Sequence, residues 1–372
     1  MKPHQTGALF SFLLLGASSL ASAQVSFSHL VTLDLSSTAF PTGTRYIGNN
    51  PSALAWDGTN AWIGGYNQSG SAAPTAIIQI SNVLTNPTFG TPFGTFTTNN
   101  LRGITSLAVQ GNLLAASLDN GAGSGDSVRI FNASTGTLNW RIGTSAGDNS
   151  RRGNGVAFDP GFNGADAGSG VAYLSIGSGR RHLLDSSAGT YKFGQNAGMI
   201  INLNPVSTTW RDLAFDPDTG DLYARESNRL AKARRTGDNS VAGASTLLGS
   251  LPQASAVDNQ NLAFVDSLSV GNFLLLNDRS TPSAGQSFFN VVKAISTSGA
   301  PVALNFGSFA PALGNGAYDF AWHADSYTLA ISDFANRRLY VFAAVPEPGS
   351  ILLLFAGLGS SAAFLLRRRR SR

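Results

Sequence analysis

One short pattern recurs along the chain at nearly even intervals. An alanine between two apolar residues occurs as Leu54-Ala55-Trp56, Leu107-Ala108-Val109, Val156-Ala157-Phe158, Leu213-Ala214-Phe215, Leu262-Ala263-Phe264 and Phe320-Ala321-Trp322. The alanines lie 53, 49, 57, 49 and 58 residues apart. Each triplet is followed by a polar turn and a second apolar run: AWIGGY, LLAASL, VAYLSI, DLYARE, NFLLLN and TLAISD. Most units continue with further strand-like runs, among them SVRIFN with LNWRIG, and FNVVKAI with VALNFG.

Self-similarity at this period, with three or four short strands per unit, is the signature of sheets arranged radially as the blades of a β-propeller. A sandwich and a β-solenoid are the alternatives; the regular spacing together with the repeated second strand favours the propeller. Side chains alternate along a strand, so the bulky residues of a triplet face one side of their blade and the alanine the other. If the triplets are inner strands, the bulky pair of one blade packs against the alanine of its neighbour. The sixth unit ends early, with DFAWH, TLAISD and RRLYVFAAV, and is one strand short. The N-terminal stretch FSHLVTLDLS supplies one strand and no more. A first strand that completes the last blade closes the ring, which predicts a six-bladed all-β propeller, with seven blades as the competing count. Composition agrees. Outside the C-terminal tail the acids are Asp except for Glu226, and Asp favours turns where Glu favours helix.

Both ends of the chain differ from this body. MKPHQTGALFSFLLLGASSLASAQ has a basic start at Lys2, an apolar core from Ala8 to Leu15 and small residues at Ala21 and Ala23. This is the pattern of a secretory signal peptide, cut before Gln24 by signal peptidase. The chain ends VPEPGSILLLFAGLGSSAAFLLRRRRSR. Residues 350–366 carry no charge, and as a helix they reach about 25 Å, the short end of what spans a bilayer. Arg367, Arg368, Arg369 and Arg370 follow, and such a cluster stays on the cytoplasmic side. Pro346 and Pro348 disfavour helix in the residues before them, so VPEP is expected to be extended and accessible. The physics alone fits either a permanent anchor or a cleavable signal.

The order of these parts (Pro-Glu-Pro, a short apolar stretch, terminal arginines) resembles the PEP-CTERM sorting domain of Gram-negative bacteria that make extracellular polysaccharide and biofilm. The resemblance covers about the last 28 residues. It implies recognition by an exosortase, with Val345, Pro346, Glu347 and Pro348 as the recognised box. The expected division is therefore 1–23 signal peptide, 24–344 propeller and 345–372 sorting domain, the last comprising box 345–348, transmembrane helix 350–366 and basic tail 367–372. The expected location is an inner-membrane-tethered precursor facing the periplasm, then the cell surface or extracellular matrix.

The formal charge of +4 suggests nucleic-acid binding until it is apportioned. Without the terminal segments, 19 basic and 20 acidic residues remain, so net charge gives a polyanion surface no support. There are no cysteines, which removes disulfides, thiolate nucleophiles and thiolate metal ligands.

Candidate chemistry is sparse. His4, His29, His182 and His323 have no metal-ligand spacing. The match GTSAG would make Ser145 a nucleophile, but that motif needs a strand-turn-helix elbow and a Gly/Asn/Arg-rich loop follows. DPDTGDLY, from Asp216 to Tyr223, resembles the hairpin between the first two strands of NHL-type and related propellers. Its carboxylates Asp216, Asp218 and Asp221 make a calcium candidate, though the spacing suits an Asp-rich hairpin better. Arg102, Arg152 and Arg211 each precede an inner-strand triplet. They are either a shared cationic patch for acidic sugars, which guanidinium pairs bidentately, or unrelated surface residues. The favoured function is a non-catalytic, exported platform without cofactor that binds extracellular polysaccharide or surface proteins. The alternative is an envelope hydrolase or lyase of the metal-dependent six-bladed propeller type, against which Glu226, the one available glutamate, lies off the axis.

Overall fold

The structure, a computed structural model, describes residues 24–36, 50–66, 75–96, 103–119, 128–141, 155–164, 170–175, 178–185, 190–191, 200–201, 211–226, 229–237, 240–241, 246–250, 261–266, 270–277, 292–311 and 318–345. The chain enters as β1 (Gln24–Asp34). A first unit follows: β2 (Asn50–Trp56), β3 (Ala61–Tyr66) and β4 (Thr75–Ser81), with β5 (Thr88–Phe89) and β6 (Phe93–Phe96) both paired to β4. The second is β7 (Gly103–Gln110), β8 (Leu113–Asp119), β9 (Val128–Asn132) and β10 (Leu138–Arg141). The third is β11 (Val156–Asp159), β12 (Gly170–Ser175) and β13 (Ser178–Asp185), with β14 (Thr190–Tyr191) and β15 (Ile200–Ile201) both on β13.

The fourth unit holds β16 (Asp212–Phe215), β17 (Leu222–Glu226) and β18 (Arg229–Ala233). A small ribbon of β19 (Arg235–Gly237) and β20 (Ser240–Val241) precedes its outer strand β21 (Thr246–Ser250). The fifth is β22 (Leu262–Val265), β23 (Phe273–Asn277), β24 (Val292–Ser296) and β25 (Pro301–Asn305). The sixth is β26 (Tyr318–His323), β27 (Thr328–Asp333) and β28 (Arg338–Val345).

The innermost strands are neighbours in the order β2, β7, β11, β16, β22, β26, and β26 meets β2 again, so the described units form a ring. The reason lies in the triplets. Leu54 and Trp56 share a cluster with Ala321, and Leu107 shares one with Ala55. Val156 and Phe158 pack with Ala108, Leu213 and Phe215 with Ala157. Leu262 and Phe264 pack with Ala214, Phe320 and Trp322 with Ala263. A bulky pair therefore meets the neighbour's alanine at all six junctions, and burying such pairs is the main driving force for the assembly.

β1 closes the ring. It runs antiparallel to β28 from Ser26↔Val345 to Asp34↔Arg338, with a bulge between His29 and Val31. Its other edge pairs parallel to β25 from Gln24↔Ala303 to Ser26↔Asn305. Units five and six thus become one eight-stranded sheet, β22-β23-β24-β25-β1-β28-β27-β26, whose end strands are also neighbours. It is a near-closed barrel-like unit. A single pairing, Tyr66↔Gly103, joins units one and two into a nine-stranded sheet.

The expectation of a propeller flanked by a C-terminal transmembrane sorting helix is corrected. Among the described residues no helix is long and apolar enough to cross a membrane; the helical element among them is a 3-10 turn, Phe162–Gly164. The run 350–366 lies outside the described residues. The inner-membrane-tethered precursor, with the membrane as its partner, falls with that helix. The fold is an all-β, propeller-like body.

Candidate functional site

The six triplets line a narrow central channel of about 200 Å³. At one mouth stand the residues preceding each triplet, Ala53, Ser106, Gly155, Asp212, Asn261 and Asp319, of which Ser106, Asp212 and Asp319 line the channel. Four of these join one unit to the next. Asp212 Oδ2 accepts the Leu262 N–H at 2.7 Å while Oδ1 accepts that of Leu213 at 2.9 Å. Asp319 repeats this with Leu54 at 2.7 Å and Phe320 at 2.9 Å. Ser106 Oγ accepts the Val156 N–H at 3.2 Å, and Asn261 Nδ2 donates to the Tyr318 carbonyl at 2.8 Å.

Burial pushes the Asp212 carboxyl up to about 7, against the two amides and the Arg225 guanidinium, which favour its charged form. Asp319 is pushed well above the carboxylate range, first by burial and then by the charge of Asp212. Arg225, 1% exposed, donates to the Asn261 carbonyl at 2.9 Å and to Asn277 Oδ1 at 2.8 Å. All four oxygens of the two carboxyls accept backbone N–H bonds, so their chemistry is that of inter-unit clips.

At the opposite end of the triplets, the residue that follows caps a turn in four units. Asp57 Oδ1 accepts the Thr59 and Asn60 amides, Asp159 Oδ1 that of Gly161, and His323 Nδ1 that of Ser326. Asp216 Oδ1 accepts the Asp218 and Thr219 amides at 3.0 and 3.3 Å. Asp221 accepts the Arg235 amide at 2.8 Å and pairs with Lys232 Nζ at 2.9 Å. The oxygens of this calcium candidate that are seen bonded hold the hairpin. Among the described residues no three His, Cys, Asp or Glu side chains gather as a metal site. Asp266 is pushed up to about 6 by burial and then by the charges of Asp218 and Asp216.

A groove of about 1000 Å³ lies between β1, the segment after β25, and β28. It arises because β1 parts from β25 beyond Ser26↔Asn305 while continuing along β28. Its walls carry Ser28, His29, Thr32, Asn305, Ser308 and Arg338. Beneath them is an aromatic floor. The His29 ring stacks on Phe309 with centroids 4.6 Å apart, and Phe309 meets Tyr340 and Phe342 edge-on at 5.0 Å each. His29 Nε2 and Thr32 Oγ1 are 2.8 Å apart, and Arg338 pairs with Asp34.

The anticipated site residues separate in space. His29 lines the groove, His323 caps a turn, and His182 falls within β13. Arg211 immediately precedes β16 at the channel mouth. Gln24 opens β1, Val345 ends β28 and Glu226 ends β17. Ala21, Ala23, Arg102, Ser145, Arg152, Pro346, Glu347, Pro348 and Arg367, Arg368, Arg369, Arg370 lie outside the described residues. The groove is the feature that the sequence did not announce, since residues near 30, 308 and 338 meet only through strand pairing.

Comparison with known proteins gives three findings. Residues 344–370 match the PEP-CTERM protein-sorting motif. No curated protein matches the chain. Among solved structures, a candidate phosphatase from Bacteroides thetaiotaomicron VPI-5482 is similar at 13% identity, with 80% of this chain and 72% of that one covered and a TM-score of 0.50. The β-propeller domain of Cps50 (Swd1) from Myceliophteria thermophila aligns at 10% identity over 80% and 84%, TM-score 0.45. At such identities the first likeness speaks for the fold alone, and the second carries no argument. The chain is thus an all-β, propeller-like protein ending in a PEP-CTERM protein-sorting motif.

Proposed function

We propose that this is an exported protein, delivered to the cell surface or extracellular matrix by exosortase-type machinery, whose body is a non-catalytic platform for an extracellular glycan. The groove between β1 and β28 carries the reading. Its hydroxyl, amide, imidazole and guanidinium walls suit a polyhydroxylated chain, which needs many donors and acceptors spread over an open surface rather than one enclosed pocket. Arg211, with Arg102 and Arg152, which likewise come shortly before their triplets, is the proposed second contact, selecting acidic sugars. The commitment of Asp212 and Asp319 to backbone amides supports binding over hydrolysis.

Titration calorimetry of the purified full-length protein with the host's own extracellular polysaccharide tests this. Ser28→Trp and Ser308→Trp fill the groove from two exposed positions and should each weaken binding at least tenfold. Absence of polysaccharide binding, or unchanged affinity in both variants, overturns the proposal.

A further inference from the structure

The sorting-motif match begins inside the folded body. Its first two residues, Ala344 and Val345, belong to β28. The pairing of β28 with β27 ends at Thr328↔Ala343, and a further bond runs from the Ala344 N–H to the Tyr327 carbonyl at 2.8 Å. Among the described residues Val345 is therefore paired to β1 alone, opposite Ser26. β1 is held in turn by Val25 and Phe27, both buried, with the Phe27 ring stacked on Phe306 at 5.1 Å. The N-terminal strand, far away in sequence, thus grips the first residue of the VPEP box.

We infer that β1 is a latch on the sorting motif, so that sorting machinery engages the motif only when the β1–β28 end opens. The inference rests on the proposed sorting function. A short linear signal is commonly bound as an extended strand through its own backbone hydrogen bonds. A backbone already paired in a sheet is unavailable for that, and no spacer separates Val345 from the strand that holds it. β1 and the recognising protein compete for the same residue. Strand ends open locally far more readily than the core, so the latch slows recognition without forbidding it.

Two variants of the full-length chain, expressed in its own host, test the latch from opposite directions. Inserting Gly-Ser-Gly-Ser-Gly-Ser between Ala344 and Val345 frees the motif while leaving the pairs up to Phe27↔Ala344. Joining Ser28→Cys to Ala343→Cys, which face each other across the two strands, locks the latch. The chain has no other cysteine, so the cross-link is unambiguous and reversible by reductant. Pulse–chase with intact-mass readout and protease accessibility on whole cells gives the rate of motif-dependent delivery. The insertion should raise this rate at least threefold, and the cross-link should lower it at least threefold until reduced. A smaller change in either, or a change in the opposite sense, overturns the latch alone. If deleting residues 346–372 leaves wild-type delivery unchanged, the sorting function fails and takes the latch with it.

Discussion

A β-carbon placed on Gly155 would lie 2.6 Å from Asp212 Oδ1 and 2.7 Å from Asp212 Cα. The third unit yields its side chain at this position so that the fourth can turn its carboxylate toward Leu213 and Leu262. Gly155→Ala forces the two units apart. It should destabilise the protein by about 1–3 kcal/mol, the range for overpacking a filled site, read as a lower urea midpoint. Gly111→Ala, at a position with nothing within 4 Å of an added β-carbon but with φ of +54°, separates backbone strain from crowding and should be milder.

The buried carboxyls predict a pH dependence of definite sign. Asp212, and with it Asp319, has a folded-state pKa above its unfolded value. The folded protein therefore holds protons that the unfolded chain releases. Their contribution to stability is full below about pH 4 and is lost as pH rises through about 7 for Asp212. Asp266, raised to about 6, acts in the same sense. Comparing urea midpoints at pH 5 and pH 8, the wild type should lose more stability at the higher pH than Asp212→Asn does. Equal losses contradict the assignment.

Arg225 is a buried cation whose partners are the Asn261 carbonyl and Asn277, with the Asp212 charge nearby. Arg225→Met takes a donor from the Asn261 carbonyl and from Asn277 Oδ1 and removes the cation that favours Asp212 ionisation. Breaking a buried charged network in this way costs about 3–5 kcal/mol, measured by chemical denaturation. The variant should also steepen the loss of stability between pH 5 and pH 8.

Ring closure by β1 depends on Phe27, 3% exposed and stacked on Phe306. Phe27→Ala should cost about 3–5 kcal/mol. Native-state hydrogen exchange should show faster exchange in β28 than in β8, which belongs to a unit completed without β1.

The ring could be read from the chain because its contacts repeat: bulky–Ala–bulky returns six times, and every alanine meets the next unit's bulky pair. The strand FSHLVTLDLS was legible as the missing edge because the last unit was short. The channel-mouth ring was not, since one position is filled in turn by Ala53, Ser106, Gly155, Asp212, Asn261 and Asp319. Chemically unlike residues conceal a shared geometric role. The groove was invisible for another reason: Ser28, Ser308 and Arg338 meet only because β1 lies between β25 and β28. At the C-terminus, apolar composition from 350 to 366 suggested a spanning helix, whereas among the described residues no helix is long and apolar enough to cross a membrane.

The most direct measurement is the location of the protein in its native host, by protease accessibility of intact cells and intact mass, for the wild type and for a chain lacking residues 346–372. Wild-type protein should be exposed outside the cell without residues 1–23, and the truncated chain should fail to reach the surface. Full-length wild type in the cytosol, or equal surface exposure of both chains, would contradict the account.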